Sequence, residues 1–182
     1  MLKDTRKVII KHIEIEDYEK NNNFEFYYTW RAQVDTFMTR KIRMENLEQD
    51  RKKYSEFLEN PEEHVILGAF HNNRLIGLTA LHIELTKERI AHIGHWGIMI
   101  HPDFHNNGLG TELLTQLEKE ARNRGILKLE ASYVSKNKAA EKLYLEKMNY
   151  IIEGRKILGI KLDDGTYDEI VLIGKILYNI EV

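Results

Sequence analysis

The sequence predicts an α/β protein built on one mixed β-sheet. Three observations carry this. Strand-like runs both precede and follow helical runs, in the order β, two helices, three β, α, β, α, two β. The strand-like runs are β-branched and bounded by Gly, Asn and Pro, whereas the helical ones repeat their apolar residues at three and four. The composition is that of an ordinary folded chain: 182 residues, 42% hydrophobic and 31% charged. A chain of this length buries roughly 70% of its unfolded surface, so one domain over residues 1–182 is expected, with no staple.

Val8 to Ile15 is β-branched and ends in alternation, so it reads as the first strand. Glu16 to Lys53 is mostly helical in pattern, broken near Asn21-Asn22-Asn23. Phe24, Tyr27, Tyr28 and Arg31 share one helical face, and Met44, Leu47, Arg51, Tyr54 and Leu58 another. Asn60-Pro61 ends that second helix. Val65 to Phe70 and Leu75 to Leu85 form a hairpin, because Asn72 and Asn73 between them tolerate positive φ. Ile90 to Ile100 is a further strand. Thr111 to Arg124 is an amphipathic helix with Leu113, Leu114, Leu117 and Ala121 on one side, stopped by Gly125. Leu127 to Val134 is a strand and Asn137 to Met148 a helix. Tyr150 to Leu162 and Tyr167 to Leu177 flank the turn Asp163-Asp164-Gly165-Thr166.

Composition also excludes classes of function. Lys plus Arg is 27 and Asp plus Glu 29, a net charge of −2, so the basic excess of a nucleic-acid binder is missing. With no cysteine there is no disulfide, no thiolate metal site and no cysteine nucleophile. The polar start Met1 to Lys7 lacks the apolar run of a signal peptide, and no stretch reaches the ~18 apolar residues of a membrane span. A cytoplasmic protein is therefore expected. Of the eight histidines, His92 and His95 fall on opposite faces of a regular strand, and no His-Glu-x-x-His helix exists. His101 and His105 flank one loop and are the remaining pair; no metal site is expected.

The most informative stretch is His105-Asn106-Asn107-Gly108-Leu109-Gly110-Thr111, between a strand and an amphipathic helix. Its glycines let the backbone approach a ligand, and the following helix offers its positive end, which together suit a pyrophosphate. A plain strand-to-helix loop is the alternative. A P-loop is excluded, because no Lys follows Gly110. A dinucleotide fingerprint needs a third glycine where Leu113 stands, although Glu130 mimics its ribose-binding acid.

The stretch Trp96-Gly97-Ile98-Met99-Ile100-His101-Pro102-Asp103-Phe104 with this loop resembles the acetyl-CoA motif of the GNAT acetyltransferases, Gln/Arg-x-x-Gly-x-Gly/Ala. Glu130 to Val134 looks like the family's next strand. Asn137 to Tyr150 looks like its Asn-x-x-Ala-x-x-Leu-Tyr-x-x-x-Gly-Phe segment. The resemblance spans about 67 to 177, and the hairpin around Asp164 to Asp168 is similar to members that acetylate amino acids or protein N-termini. Two positions depart from the pattern: His105 stands for Gln/Arg, and Asn149 for Gly.

The resemblance implies a GNAT-like mixed central sheet, splayed at the cofactor site between the strands at 90–100 and 127–134, with helices on both faces. Residues 1–60 would form the acceptor side and 61–182 the acetyl-CoA-binding core. It implies acetyl transfer from acetyl-CoA to a primary amine, by direct attack in a ternary complex since no cysteine can carry the acyl group. The acceptor would be an amino acid, a protein N-terminus or a small amine, and a homodimer is a further expectation. A catalytically weak acyl-CoA-binding module is the alternative.

By the same resemblance, backbone amides of Asn106, Asn107, Gly108, Leu109, Gly110 and Thr111 would hold the pyrophosphate, beside His105. Ile98, Met99 and Ile100 would pair with pantetheine as an added strand, an amide near Ile98 polarising the thioester carbonyl. Asn137 would bond the pantetheine arm, or cap its helix. Tyr144 would be the general acid, its ordinary pKa of about 10 lying near a thiol's 8.5, or else pack beside Ala140 and Leu143. His95 is the first candidate for the base, with His92 on the same strand and Glu84 and Glu130 behind it. The aromatic patch Phe24, Tyr27, Tyr28, Trp30 and Arg31 would help line the acceptor cleft, most of it as core.

Overall fold

The computed structural model describes residues 7–178. The polar Met1–Arg6 stretch, and residues 179–182, lie outside the described residues. The chain builds a seven-stranded sheet, β1 (Val8–His12), β2 (His64–His71), β3 (Arg74–Ile83), β4 (Ile93–Ile100), β5 (Lys128–Val134), β6 (Ile151–Lys161) and β7 (Tyr167–Ile176), in the order β1-β2-β3-β4-β5-β7-β6. Every adjacent pair is antiparallel except β4 with β5, which is parallel. The sheet is therefore mixed, as its sequence pattern predicts.

Helices cover both faces. On one, α4 (Leu109–Asn123) lays Leu113, Leu114, Leu117 and Ala121, all fully buried, against Leu81, Leu129 and Val171. Each such leucine contributes about 1.5–3 kcal/mol. On the other face α1 (Ile15–Glu19), α2 (Asn23–Arg31) and α3 (Leu47–Glu59) pack Phe24, Tyr27, Tyr28 and Trp30 onto Ile66, Leu75 and Leu78. Trp30 Nε1 donates to the Leu75 carbonyl at 3.0 Å, so its polar edge is satisfied inside that core.

Turn chemistry sets the connections. Asn72 and Asn73, at φ 49° and 61°, make the tight β2–β3 hairpin, and Asn21 and Asn22 take positive φ where α1 yields to α2.

Four sequence expectations are corrected. The first strand stops at His12, because Ile15 opens a helix through the Glu14–Asp17 capping box. The helical pattern over 16–53 breaks twice, and residues 32–46 form a connection with two short 3₁₀ turns. Here Asp35 accepts from the Ile42 amide, an alternative to helix that propensity alone does not reveal. The strand expected from Ile90 begins at Ile93. Finally, the helix expected over 137–148 is α-helical only over α5 (Lys138–Glu141), after which Lys142–Lys147 winds as a π-helix, with Met148 N–H bonding the Leu143 carbonyl five residues back.

Candidate active site

The site begins where β4 and β5 part. They pair only at Ile93–Lys128, Gly94–Leu129 and His95–Glu130. Beyond that, β4 continues through Ile100 against β3, and β5 continues through Val134 against β7. A wedge therefore opens in mid-sheet, lined on one side by backbone that lacks a neighbouring strand.

The register shows which backbone groups face the wedge. His101 N–H bonds the Ile76 carbonyl, and the β3–β4 register is unbroken, so alternate residues Met99, Gly97 and His95 direct their amides and carbonyls to β3. Ile98 and Ile100 direct theirs away, into the wedge. The Ile100 carbonyl is held by His105 Nε2 at 2.8 Å. Ile98 thus offers both its N–H and its C=O, and Ile100 its N–H. Met99 is directed to β3, and only its side chain reaches the neighbourhood of the site.

The glycine loop closes the wide end of the wedge. Asn106 and Gly108 adopt positive φ, 62° and 82°, which carries the chain from a short 3₁₀ turn into α4. Gly108 caps α4 without any side-chain hydrogen bond, so the first-turn amides of Leu109, Gly110 and Thr111 have no intrahelical partner. They carry the partial positive charge of a helix N-terminus. Gly110 serves packing: a Cβ there would sit 2.9 Å from Leu143 Cδ2 and 3.2 Å from Ile100 Cδ1. The tip of α4, the π-helix and β4 therefore touch at one point. His105 ties the loop to β4 by its ring.

Tyr144 rises from the π-helix. Its ring meets Trp96 of β4 edge-on at 5.0 Å and Tyr133 of β5 at 5.9 Å, so it bridges the two strands that have separated. It is buried, and among the described residues its hydroxyl has no hydrogen-bond partner. Burial raises its pKa well above that of an ordinary phenol, so the proximity to a thiol pKa expected from sequence does not hold for this side chain in the free protein. Asn137 accepts from the Ala140 amide at 3.1 Å and so caps α5 with its oxygen, leaving its amide N–H groups free of any hydrogen bond among the described residues.

The proposed bases separate clearly. His95 is half-exposed at the last β4–β5 pair, with its Nδ1 3.8 Å from Glu130. It faces the α1–α3 side of the sheet, opposite to Trp96 and Tyr144. Glu130 also takes Lys128 Nζ at 2.8 Å. Glu84 lies beyond β3 and is held below the usual carboxylate range by the Thr86 hydroxyl and by Lys87, which makes it a poor proton acceptor. His92 precedes β4, in a turn whose carbonyl accepts from Leu127 and Lys128. Among the described residues no group of three or more His, Asp or Glu is arranged to hold a metal.

On the His95 side, Tyr27 hydroxyl touches Met99 Sδ at 3.8 Å and Tyr54 hydroxyl at 3.3 Å, which brings α2 and α3 to the wedge. The 32–46 connection reaches the β6–β7 hairpin through a Lys41–Asp163 ion pair of 2.5 Å. Between them lies a cavity of about 330 Å³, lined by residues such as Asp35, Met38, Ile160 and Lys161.

The family model for acetyltransferases of the GNAT family matches residues 12–150, most of the chain. The chain belongs to the GNAT acetyltransferase family. It is an N-acetyltransferase with acetyl-CoA as cosubstrate. No curated protein sequence matches at a significant level. Solved structures similar to this GNAT chain include the acetyltransferase of the GNAT family from Streptococcus pneumoniae, 24% identical, covering 93% of this chain and 98% of that one, with a TM-score of 0.76. YncA of Salmonella typhimurium, determined with its cofactor acetyl-CoA, is 16% identical, with 97% and 98% coverage and a TM-score of 0.78. Spermidine N-acetyltransferase from Vibrio cholerae, in complex with CoA and spermine, is 14% identical, with 94% and 96% coverage and a TM-score of 0.76.

Asn149 takes φ 57°, the conformation a glycine would provide, so this exchange leaves the backbone path intact. The residues that sequence reasoning missed are the π-helical winding beneath Tyr144 and the His105–Ile100 tie. No propensity signals the first. The second needed the loop's return onto β4.

Proposed function

We propose that the protein transfers the acetyl group of acetyl-CoA directly to the primary amine of an amino acid, a protein N-terminus or a small amine. The observation that carries this is the wedge: the N–H and C=O of Ile98 and the N–H of Ile100 stand opposite a diverging strand, with a helix N-terminus that no side chain caps at its mouth. That is the shape of a site for an extended, amide-bearing arm ending in a pyrophosphate. Acetyl-CoA supplies the reactive thioester there.

The chain's own residues then divide the work. Amides from Asn106 to Thr111, with Leu109, Gly110 and Thr111 foremost, hold the pyrophosphate. Ile98 C=O and Ile100 N–H pair with the pantetheine amides, and Asn137 adds a donor. Ile98 N–H polarises the thioester carbonyl. An alkyl amine has a pKa of about 10.4 and must be neutral to attack; His95 takes its proton, and Glu130 stabilises the imidazolium that results. Tyr144, approaching from the other face, protonates the leaving sulfur. Burial keeps the phenol protonated until then, and the same dry surroundings raise the basicity of the thiolate it must neutralise. Residues 1–60 form the acceptor side, through Tyr27, Tyr54 and the connection that follows α2, and residues 61–182 the cosubstrate core.

The test is CoA release from acetyl-CoA across amino acids, polyamines, amino sugars, aminoglycosides and short N-terminal peptides, for wild type and Tyr144→Phe. Turnover of one class, reduced by about 10²-fold or more in Tyr144→Phe with acetyl-CoA binding intact, is expected. Turnover indifferent to the substitution removes Tyr144 from the mechanism. Saturating acetyl-CoA binding without turnover of any amine supports the binding-module reading instead.

A further inference from the structure

We infer that Arg31 is a carboxylate anchor for the acceptor: this protein acetylates a small amine that carries a free carboxylate, as an amino acid does. The inference rests on the acetyl-transfer reading above and narrows its acceptor.

Arg31 ends α2 and is partly buried. Its guanidinium lies 5.7 Å from the Tyr27 ring centroid and 5.8 Å from that of Tyr54, and its Nη1 donates to the Tyr54 hydroxyl at 2.9 Å. Its Nε is buried with no hydrogen-bond partner. Among the described residues no carboxylate lies within ion-pair distance of it. Asp50, which bears on it electrostatically, already accepts from the Tyr28 hydroxyl at 2.8 Å and from Arg40 at 2.9 Å.

A guanidinium presents five N–H groups in a rigid fork, and a sheltered one is costly unless those donors are met by an anion. A cation in the last turn of a helix gains from the helix dipole, which accounts for a charge at this position. It does not account for a guanidinium folded between two aromatic rings with its Nε left unanswered. The aromatic walls keep water from competing with a ligand and hold the fork in place.

The position is right for an acceptor. Tyr27, on which Arg31 rests, touches Met99 of β4. Met99 adjoins Ile98, whose amide faces the wedge, and points to the same side of the sheet as His95. One small molecule spans the guanidinium and the reacting carbon, with its carboxylate on Arg31 and its amine toward β4. A bidentate contact with two charge-assisted hydrogen bonds matches the geometry that a carboxylate, and not a carboxamide, offers.

The experiment compares kcat/KM for a panel of amino acids as free acids and as their α-carboxamides, in wild type and Arg31→Met, alongside melting curves with and without the corresponding N-acetyl amino acids. Wild type is expected to favour free acids by about 10- to 100-fold, and Arg31→Met to bring the two forms to within ~3-fold of each other. A wild type indifferent to the carboxylate, a preference that survives in Arg31→Met, or turnover confined to amines without a carboxylate overturns the inference while leaving acetyl transfer intact. If no amine is acetylated, the acetyl-transfer reading fails, and the melting curves decide: stabilisation by N-acetyl amino acids that vanishes in the variant supports the anchor, and no stabilisation overturns it. Should Arg31→Met not fold, Arg31→Lys keeps the charge without the fork and is expected to lose most of the preference.

Discussion

Replacing Gly110 by alanine tests whether the tip of α4, β4 and the π-helix act as one packed unit. The new Cβ would lie 2.9 Å from Leu143 Cδ2 and 3.2 Å from Ile100 Cδ1, where ordinary contact begins near 3.4 Å. Leu143 Cδ2 must retreat by about half an ångström; overpacking of this kind costs about 1–3 kcal/mol, of which about 0.5–1 kcal/mol is offset because alanine suits a helix better than glycine. For a chain of this size each kcal/mol lowers the melting temperature by about 2–4 °C, so a fall of up to about 8 °C is expected. Leu143 immediately precedes Tyr144 on the π-helix, so its retreat also displaces the phenol against Trp96. The KM for acetyl-CoA should rise and kcat fall together. The assay is a melting curve with and without acetyl-CoA, followed by steady-state kinetics. Gly97→Ala is the control, because a Cβ there meets nothing within 4 Å and its φ is ordinary; its melting temperature should match wild type. Gly110→Ala melting within 1 °C of wild type, with kinetics unchanged, would refute the claim that these three elements meet without slack.

Three further outcomes are expected. Burial raises the Tyr144 pKa, and in the proposed mechanism its protonated form is the acid, so turnover in a pH profile should persist above pH 10 instead of falling with an ordinary phenol; an alkaline loss near pH 9–10 that Tyr144→Phe abolishes would contradict this. The His64 pKa is lowered by burial and by neighbouring His82, so the unfolded chain binds more protons just below pH 6.5; stability falls as pH drops from about 6.5 to the lowered value, and His64→Phe should flatten melting curves recorded from pH 7.5 to 5. Asp50 is buried and receives Tyr28 and Arg40, so Asp50→Ala leaves the Tyr28 hydroxyl without its shortest partner; a loss of about 2 kcal/mol, read as a melting temperature lower by about 4–8 °C, is expected, with faster proteolysis of the 32–46 connection that Arg40 fastens.

Much of the candidate site was legible in the sequence, because what positions it is mainly backbone geometry. Gly108 and Asn106 announce positive φ by residue type, and Leu113, Leu114, Leu117 and Ala121 announce a helix immediately after them. Position and residue type alone raised the loop as a candidate anion site, with a plain strand-to-helix loop as the alternative. The fork was expected only through the family resemblance, and the register places its vertex at His95–Glu130. Side-chain roles were less legible. Glu84 and Glu130 are equivalent carboxylates in sequence, yet Thr86 and Lys87 engage one, and the fork places the other beside His95.

Local pattern by itself placed the strands to within a few residues, and with them the Asn-Asn hairpin, the amphipathic α4 and the glycine loop, since each depends on steric and solvation rules acting over a few residues. The tertiary structure alone decided what depends on neighbours distant in the chain. It set which β4 amides face the wedge, a matter of pairing phase with β3. It wound the π-helix that aims Tyr144 between two parted strands. It left Arg31 between Tyr27 and Tyr54 without a carboxylate partner among the described residues, while nearby Asp50 is held by Tyr28 and Arg40.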